Sequence, residues 1–328
     1  MRILRTIMMG TGTFAEPTFR ALLTRPDLVQ VVALFTQPDR VSGEVSGSTR
    51  QTGEGMATIA QAAGVPVEQP QSINTPDAIA RLTQLQPDLY VVAAYGQILS
   101  REVLAVPALG GINVHASLLP KYRGAAPVAW AILRGETQTG VSIIRMSVGL
   151  DAGDVLLAES LDIGPDETAG ELEARLAVLG ARLTLQTVQA LGRGPVVGIP
   201  QDQTQVTKAP KLTKQMGQID WSQPAEALCR HIRAMQPWPT AYTHWHRLGT
   251  APLRVIIAKA RPTEPPADLL AAQSVPGTIA LNQGQRLVVA CGQHQAVEIH
   301  ELQPAGKRRM SAAEFVRGRP PQPGDHFA

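Results

Sequence analysis

Short apolar segments alternate with longer amphipathic segments through the first 190 residues of the 328-residue chain. The apolar segments are nearly continuous, which is typical of strands in a parallel sheet covered on both faces. We predict strands at residues 4–9, 29–35, 65–68, 89–94, 111–115, 141–146 and 154–161. We predict helices at residues 14–23, 54–63, 75–85, 127–134 and 168–191. This alternation predicts an α/β domain with a largely parallel sheet.

The pattern changes after residue 191, where a Gly- and Pro-rich break is followed by a polar segment. Beyond it we predict one helix at residues 224–235 and short strands at residues 241–245, 253–259, 277–280, 287–290 and 296–302. Short strands separated by turn signals indicate a small β-barrel. Because one core seldom supports so long a chain, we predict two domains. They are an α/β domain over residues 1–194 and a barrel domain over residues 211–328, joined by a linker over residues 195–210.

The net charge of +3 conceals an asymmetry between the two ends of the chain. Residues 1–207 hold 15 Lys and Arg against 19 Asp and Glu, a net charge of −4. Residues 208–328 hold 15 against 8, a net charge of +7. A basic C-terminal third is typical of an anchor for a polyanion. Ordinary solvation of a protein surface explains the same charge, so both interpretations stand.

The composition argues against several other classes of protein. Cys229 and Cys291 are the only cysteines, too few and too far apart in sequence for a zinc site or a disulfide framework. We therefore predict no metal centre, two buried thiols and a reducing, cytoplasmic setting. No apolar run approaches the ~20 residues that cross a bilayer, so we predict no membrane partner. We also expect a monomer.

The first turn, Gly10-Thr-Gly-Thr-Phe14, partly matches a dinucleotide-binding fingerprint. The third glycine is missing at the required spacing, where Ala15 stands instead. A partial match of this kind usually marks only a tight turn. A nicotinamide-dependent enzyme on the same α/β core remains an alternative.

Asn113 and His115 lie two residues apart on a predicted strand, so their side chains share one face. An amide donor beside an imidazole suits the stabilisation of an oxyanion together with proton transfer. The same pair would also arise if both side chains only satisfied backbone groups at the end of a strand.

A Gly-flanked loop, Gly149-Leu-Asp151-Ala-Gly-Asp154, adds two carboxylates between two predicted strands. Asp151 is placed to orient His115, as the third member of a catalytic set does, whereas Asp154 starts the next strand and is assigned a structural role. We assign Asn113, His115 and Asp151 as the catalytic residues.

Three segments resemble the folate-dependent formyltransferase family: residues 113–120 (NVHASLLP), 123–127 (RGAAP) and 149–154 (GLDAGD). Further similar segments extend the resemblance over nearly the whole chain. They are residues 36–40, 94–99, 211–214, 219–221, 232–234, 237–239, 302–307 and 310–312. The C-terminal segments resemble the branch of the family that acts on an aminoacyl-tRNA.

The resemblance implies a Rossmann-like catalytic domain and a C-terminal OB-like β-barrel. It also implies formyl transfer from 10-formyltetrahydrofolate to the α-amine of methionyl-initiator tRNA, for translation initiation. Asn113, His115 and Asp151 match the catalytic residues of the family. The resemblance also implies that the folate lies along residues 117–120, with its pterin against the backbone of residues 97–99 and the loop at residues 148–151. The implied folate contacts are Gln97, Ile98, Leu99, Ser117, Leu118, Leu119, Pro120, Val148, Gly149 and Leu150. Because all three catalytic residues precede the linker, we expect a fragment that ends near Pro200 to retain slow formyl transfer.

The predicted tRNA contacts are Arg40, Arg50, Lys211, Lys214, Lys307, Arg308 and Arg309. The family's tRNA enzymes commonly carry a Gly- and Lys-rich loop at the acceptor stem, but residues 41–54 here are Gly- and Ser-rich, with one Arg and two Glu. Contact through this loop would therefore rest on Arg40, Arg50 and backbone amides. Other acceptors remain open, namely a nucleotide-linked amino sugar, a ribosylamine or water. A non-catalytic RNA-binding protein also remains an alternative.

Overall fold

The computed structural model describes residues 2–38, 55–267, 269, 274–282 and 286–328. Arg40, Arg50 and the predicted acceptor-stem loop at residues 41–54 lie outside the described residues. The chain forms two compact units. The first comprises Met1–Val128, Gln138–Ile163 and Glu171–Lys211, and the second comprises Ala129–Thr137, Gly164–Gly170 and Leu212–Ala328.

The first unit contains most of the predicted α/β elements. Its strands are β1 (Leu4–Gly10), β2 (Val29–Phe35), β3 (Val67–Glu68), β4 (Leu89–Ala93), β5 (Gly111–His115), β6 (Arg123–Gly124), β7 (Gln138–Arg145), β8 (Val155–Asp162) and β9 (Lys208–Ala209). The helices over the same stretch of chain are α1 (Glu16–Leu23), α2 (Met56–Ala62), α3 (Pro76–Gln84), α4 (Arg101–Leu104), α5 (Pro127–Leu133) and α6 (Ala169–Leu191). Residues of α5 from Ala129 onward belong to the second unit.

Seven of these strands form one sheet in the order β3-β2-β1-β4-β5-β7-β8. The first five are parallel, as the sequence predicts, whereas β7 runs antiparallel to both β5 and β8. The short loop between β7 and β8 explains their antiparallel pairing, because a parallel pair needs a crossover of a dozen or more residues. The sheet therefore brings the carboxyl ends of β1, β4 and β5 to one edge, where ligands bind in open α/β sheets.

The core of the first unit lies against this sheet. All five residues of β4 are buried, consistent with a strand that is covered on both faces. Helix α3 begins where Thr75 accepts a hydrogen bond from the Ala78 N–H, and Pro76 follows at its first position. One apolar cluster of this core contains Ile7, Met9, Ala33, Phe35, Ile73, Leu82, Tyr90, Val92, Tyr95, Leu99 and Val103.

The glycines of the first turn, Gly10 and Gly12, allow a tight turn and a close approach to neighbouring parts of the chain. Gly12 adopts a positive φ of 76°, which favours glycine. A Cβ at Gly10 would lie 2.8 Å from the Ala15 Cβ and 3.0 Å from the Ala93 carbonyl oxygen. The tight-turn interpretation of this segment therefore accounts for both glycines.

The second unit is an antiparallel barrel. Its strands are β10 (Tyr242–His246), β11 (Leu253–Thr263), β12 (Ile279–Asn282), β13 (Arg286–Cys291), β14 (Gln295–Pro304), β15 (Met310–Ser311) and β16 (His326–Phe327), and its helices include α7 (Ala225–Ala234) and α8 (Ala312–Gly318). The strand order is β12-β13-β14-β11-β10-β16. A bridge between Thr278 and His326 joins the two ends of this order, so the sheet nearly closes. The predicted OB-like barrel architecture is confirmed.

Aromatic side chains fill the barrel interior. Trp245 lies with its ring centroid 5.0 Å from that of Phe315, and Trp221 stacks on Phe327 at 5.7 Å. Trp245, Phe315 and Phe327 are at least 98% buried. Phe315 lies on α8 and Phe327 on β16, so these late elements complete the core.

Helix α8 and strand β16 are absent from the elements predicted from the sequence. The start of α8 does carry a recognisable signal, because Ser311 and Glu314 form a reciprocal capping box. Strand β16 has only two residues and no periodicity to detect. The polar segment predicted as a linker also differs from expectation, since Lys208 and Ala209 pair in parallel with Arg123 and Gly124.

Both cysteines are buried, as predicted. Burial raises the pKa of the Cys229 thiol to about 12 and that of Cys291 to about 11. Neither thiol therefore supplies a thiolate nucleophile near neutral pH.

Candidate active site

Asn113 and His115 lie at the carboxyl end of β5. Asn113 pairs with Val92 of β4 on one side and with Ile144 of β7 on the other. His115 is 95% buried, whereas Asn113 is only half-buried. The amide is therefore more open to a ligand than the imidazole.

The loop after β7 brings Asp151 to this pair. Asn113 Nδ2 donates to Asp151 Oδ1 at 3.3 Å, and His115 Nδ1 lies 3.6 Å from Asp151 Oδ2. The second distance exceeds a direct hydrogen bond but leaves the charges in ion-pair range when the imidazole is protonated. The three residues selected from the sequence thus form one cluster.

The other ring nitrogen of His115 contacts the backbone. Its Nε2 lies 3.0 Å from the carbonyl oxygen of Tyr122. A carbonyl oxygen only accepts, so Nε2 carries the hydrogen and Nδ1 is the nitrogen that faces Asp151. His115 therefore satisfies a loop carbonyl and also presents a nitrogen to the Asp151 carboxylate.

Strand β6 supplies a backbone donor to the same carboxylate. The Gly124 N–H donates to Asp151 Oδ2 at 2.9 Å. Gly124 has φ +128°, and a Cβ there would lie 2.5 Å from the Ala209 carbonyl oxygen. Only glycine fits this position without displacing β6 from β9, and that strand contact places the N–H on Asp151.

The predicted folate residues divide into exposed and buried groups. Ile98, Val148 and Leu150 are 75%, 60% and 65% exposed, large fractions for apolar side chains. They offer an apolar surface that suits a flat ring system. Leu99, by contrast, belongs to the core, and the buried Ser117 hydroxyl donates to the Lys121 carbonyl. Any folate contact at these two residues must therefore come from the backbone, as the resemblance implies for the 97–99 segment.

The remaining predicted folate residues lie in the same three segments, residues 97–99, 117–120 and 148–150. Gln97 uses its side chain within the protein, because its Oε1 accepts from the Ile73 N–H at 2.7 Å and its Nε2 donates to the Pro70 carbonyl at 3.2 Å. The other four predicted contacts are partly or largely exposed: Leu118, Leu119, Pro120 and Gly149.

The five predicted tRNA residues that fall within the described ranges are accessible. Lys211, Lys214 and Lys307 are exposed, with Lys211 in the first unit. Arg308 pairs with Glu314 at 2.9 Å and Arg309 pairs with Glu301 at 2.6 Å. A phosphate at this cluster must compete with two carboxylates, although exposed ion pairs contribute only about 0–1 kcal/mol each.

Sequence reasoning assigned no role to several residues that hold the cluster. Thr207 Oγ1 accepts from the Tyr122 N–H at 2.8 Å, and the Thr207 carbonyl accepts from the Arg123 N–H at 2.9 Å. Gln201 bonds both the Asp151 loop and Arg123. The Arg123-Gly124 motif was a usable signal, but the polar segment after residue 200 offered none.

Two further findings concern other classes of site. Among the described residues, no three His, Cys, Asp or Glu side chains lie close enough to hold a metal ion. Within the same ranges, no helix combines the length and the apolar character needed to cross a membrane.

The family profile described as formyl transferase matches residues 1–188, and that of the formyl transferase C-terminal domain matches residues 211–320. The chain therefore belongs to the formyl transferase family, which confirms the predicted resemblance.

Relatives named methionyl-tRNA formyltransferase match over almost the full length. The protein from Trichlorobacter lovleyi is 44% identical over 96% of this chain and 94% of its own length. That from Symbiobacterium thermophilum is 43% identical over 99% of this chain and 96% of its own length.

Solved structures share the fold at low sequence identity. An N-formyltransferase from Helicobacter canadensis, in complex with folinic acid and dTDP-3-aminofucose, superposes with a TM-score of 0.64 at 15% identity, covering 90% of this chain and 99% of that one. HypX from Aquifex aeolicus in complex with tetrahydrofolic acid gives a TM-score of 0.60 at 18% identity, covering 100% of this chain and 51% of that one.

Proposed function

We propose that this chain transfers the formyl group of 10-formyltetrahydrofolate to the α-amine of methionyl-initiator tRNA, giving N-formylmethionyl-tRNA for translation initiation. The observation that carries the proposal is the contact of Asp151 with both Asn113 and His115 at the end of β5. The acceptor is supported by two relatives that are named methionyl-tRNA formyltransferase and match nearly the whole chain at 44% and 43% identity. The reaction belongs in the cytoplasm, where aminoacyl-tRNA is used.

Each residue of the cluster has a role in this reaction. The bound folate supplies an electrophilic formyl carbon. The amine forms a new C–N bond at that carbon while the bond to the folate nitrogen breaks, and the amine proton passes to that nitrogen. Asn113 Nδ2 gives one N–H to Asp151, and its second N–H is available to the formyl oxygen as negative charge develops there.

Proton transfer falls to Asp151 and His115. Asp151 accepts the amine proton, directly or through a water, and returns it to the leaving nitrogen. Only the Nδ1 atom of His115 is available for proton transfer, because Nε2 stays hydrogen-bonded to the Tyr122 carbonyl. A protonated Nδ1 would add positive charge beside the developing oxyanion.

The exposed apolar side chains around the cluster favour folate binding there. Ile98, Val148 and Leu150 expose apolar side chains on the two loops that the family resemblance assigns to the pterin. A pterin ring stacked there would cover them, and the neighbouring backbone groups would bond its polar edge.

The test of the proposed function compares acceptors. We expect formyl transfer to charged initiator tRNA to exceed transfer to free methionine or to a nucleotide-linked amino sugar by at least 10³-fold in kcat/KM, because tRNA contacts contribute binding energy remote from the reacting amine. Radiolabelled formyl transfer under identical folate concentrations measures this ratio. Faster transfer to the amino sugar would show that the amino sugar, and not methionyl-tRNA, is the acceptor. No transfer to any amine, together with quenching of reduced-nicotinamide fluorescence on binding, would favour the dehydrogenase alternative.

A second prediction concerns Lys307, Arg308 and Arg309. Replacing all three with Gln should weaken tRNA binding and flatten the plot of log K against log salt by roughly one unit per lost phosphate contact. Preference for initiator over elongator tRNA should survive, since phosphate contacts position the RNA without specifying it. We place that preference in residues 40–54.

Filter binding from 50 to 300 mM salt would measure this slope. The matched control replaces three exposed arginines of the first unit, Arg20, Arg25 and Arg182, which also pair with carboxylates. An unchanged slope in the Lys307–Arg309 variant would remove this cluster from the tRNA site.

A further inference from the structure

Gln201 is a buried amide in the segment between the two family domains. It is 92% buried, although residues 202–205 beside it are exposed. It lies outside both matched stretches, which end at residue 188 and begin at residue 211. A buried amide in an otherwise exposed polar segment requires partners for each of its polar groups.

The donor side of Gln201 bonds the loop that carries Asp151. Its Nε2 donates to the Asp151 carbonyl at 2.8 Å and to the Gly153 carbonyl at 2.7 Å. Asp151 itself adopts φ +48°, in the left-handed region that a non-glycine residue enters at a cost of about 1–3 kcal/mol. Both amide hydrogens of Gln201 are therefore used on carbonyls of this strained turn.

The acceptor side of Gln201 bonds the opposite wall of the site. Its Oε1 accepts from Arg123 Nε at 3.0 Å and from Arg123 Nη2 at 2.8 Å. Arg123 precedes Gly124, whose N–H donates to Asp151 Oδ2 at 2.9 Å. The bonds thus form a closed ring from Gln201 to the Asp151 backbone, through the Asp151 carboxylate to Gly124, and through Arg123 back to Gln201.

We propose that Gln201 is a positioning residue that fixes the Asp151 carboxylate against Asn113 and His115 through this ring. The charged guanidinium on Oε1 polarises the amide and strengthens its donation to the two carbonyls. Gln201 touches no reacting atom, so it acts on the rate by holding Asp151 in place. This inference rests on the proposed function.

One consequence concerns the fragment that ends near Pro200. Such a cut removes Gln201, Thr207 and β9, which hold Asp151, Tyr122 and β6 in place. We therefore expect this fragment to lose formyl transfer although the three proposed catalytic residues remain in it, which revises the sequence-based expectation of slow transfer.

The test uses two variants of the full-length protein. Gln201→Glu keeps an acceptor for Arg123 and loses the donors to the carbonyls of residues 151 and 153. Gln201→Met keeps the approximate length of the side chain and loses both the donors and the acceptor. We expect kcat for formyl transfer to fall about 10- to 100-fold in each, with KM for both substrates changed less than about threefold, because small misplacements of catalytic groups cost factors of this size. Gln203→Ala is the matched control, since Gln203 is exposed and does not reach the Asp151 loop. Its Oε1 accepts from Arg123 Nη1 at 3.4 Å, and its Nε2 donates to the backbone carbonyl of Gln201 at 3.0 Å, so it touches the ring without closing it.

A double-variant measurement separates positioning from general damage. In single-turnover reactions of the Asp151→Asn protein, adding Gln201→Met should cost less than about threefold, because the group that Gln201 positions is already disabled. A further loss as large as in the wild-type background would overturn the proposal, as would wild-type kcat in both Gln201 variants. Formyl transfer by the wild type and by Gln203→Ala reports on the proposed function itself, so its failure is distinguishable from that of Gln201.

Discussion

Asp151→Asn should lower kcat for formyl transfer to methionyl-tRNA by about 10²–10⁴-fold at saturating substrates. The substitution keeps the shape of the side chain, but the neutral amide cannot accept the amine proton. It also puts an NH2 group in place of either Oδ1, which accepts from Asn113 Nδ2, or Oδ2, which accepts from the Gly124 N–H and faces His115 Nδ1. The loss should appear in kcat, with folate affinity largely retained, because the proposed folate contacts are backbone groups and apolar side chains around the cluster.

Rapid-quench measurement of formyl transfer, with equilibrium dialysis for folate, would give both quantities. Asp154→Asn is the matched control, since Asp154 is a carboxylate of the same loop that bonds neither Asn113 nor His115. The Asp154 variant should keep kcat within about threefold of wild type. Retained kcat in Asp151→Asn across the accessible pH range would make Asp151 a structural residue and remove it from the mechanism.

His115→Ala should lower kcat on the order of 10²–10⁴-fold, because one substitution removes both the cationic partner of the oxyanion and a proton relay. It should also destabilise the first unit, since the Tyr122 carbonyl loses its donor in a buried position, which costs about 1–3 kcal/mol. Turnover per folded molecule and the free energy of unfolding must therefore be measured together. His300→Ala, a half-buried histidine of the barrel, is the control for the loss of an imidazole elsewhere.

Wild-type turnover per folded molecule in His115→Ala would refute its catalytic role. A variant that only unfolds more readily would mean that its bond to Tyr122 is its sole contribution.

The proximity of Asn113 and His115 was predictable because strand geometry is local. Residues two apart on a strand face the same way, so Asn113 and His115 could be paired from spacing alone. Asp151 followed from glycines that mark a loop able to approach a ligand. Its actual contact depends on β7 pairing beside β5, and the family resemblance supported that choice.

The supports of the cluster were not predictable in the same way. Gly124 and Asp151 are 27 residues apart, and Gln201 and Asp151 are 50 apart. No periodicity connects such residues, and a polar segment after a Gly- and Pro-rich break is typical of a linker. Only the folded chain shows that this segment pairs with β6. The basic cluster at Lys307–Arg309 was also only partly predictable, because the ion pairs of Arg308 and Arg309 depend on how α8 and β14 are placed.

The fold was predictable where elements are long and periodic. Strands β2 and β5 have the predicted bounds, since their apolar runs end where the strands end. Helix α8 was missed although its capping box was an available signal, because so short a helix takes its stability from contacts such as Trp245 with Phe315. Strand β16 has only two residues and no pattern to detect.

The most direct test of the central claim is a double-mutant cycle on Asp151 and His115, measured as single-turnover formyl transfer to methionyl-initiator tRNA. Residues that act as one catalytic unit are strongly non-additive. If Asp151 and His115 handle the proton together, the Asp151→Asn/His115→Ala protein should be no more than about tenfold slower than the slower single variant. Losses that multiply fully in the double variant would show that the two residues act independently and would contradict the account.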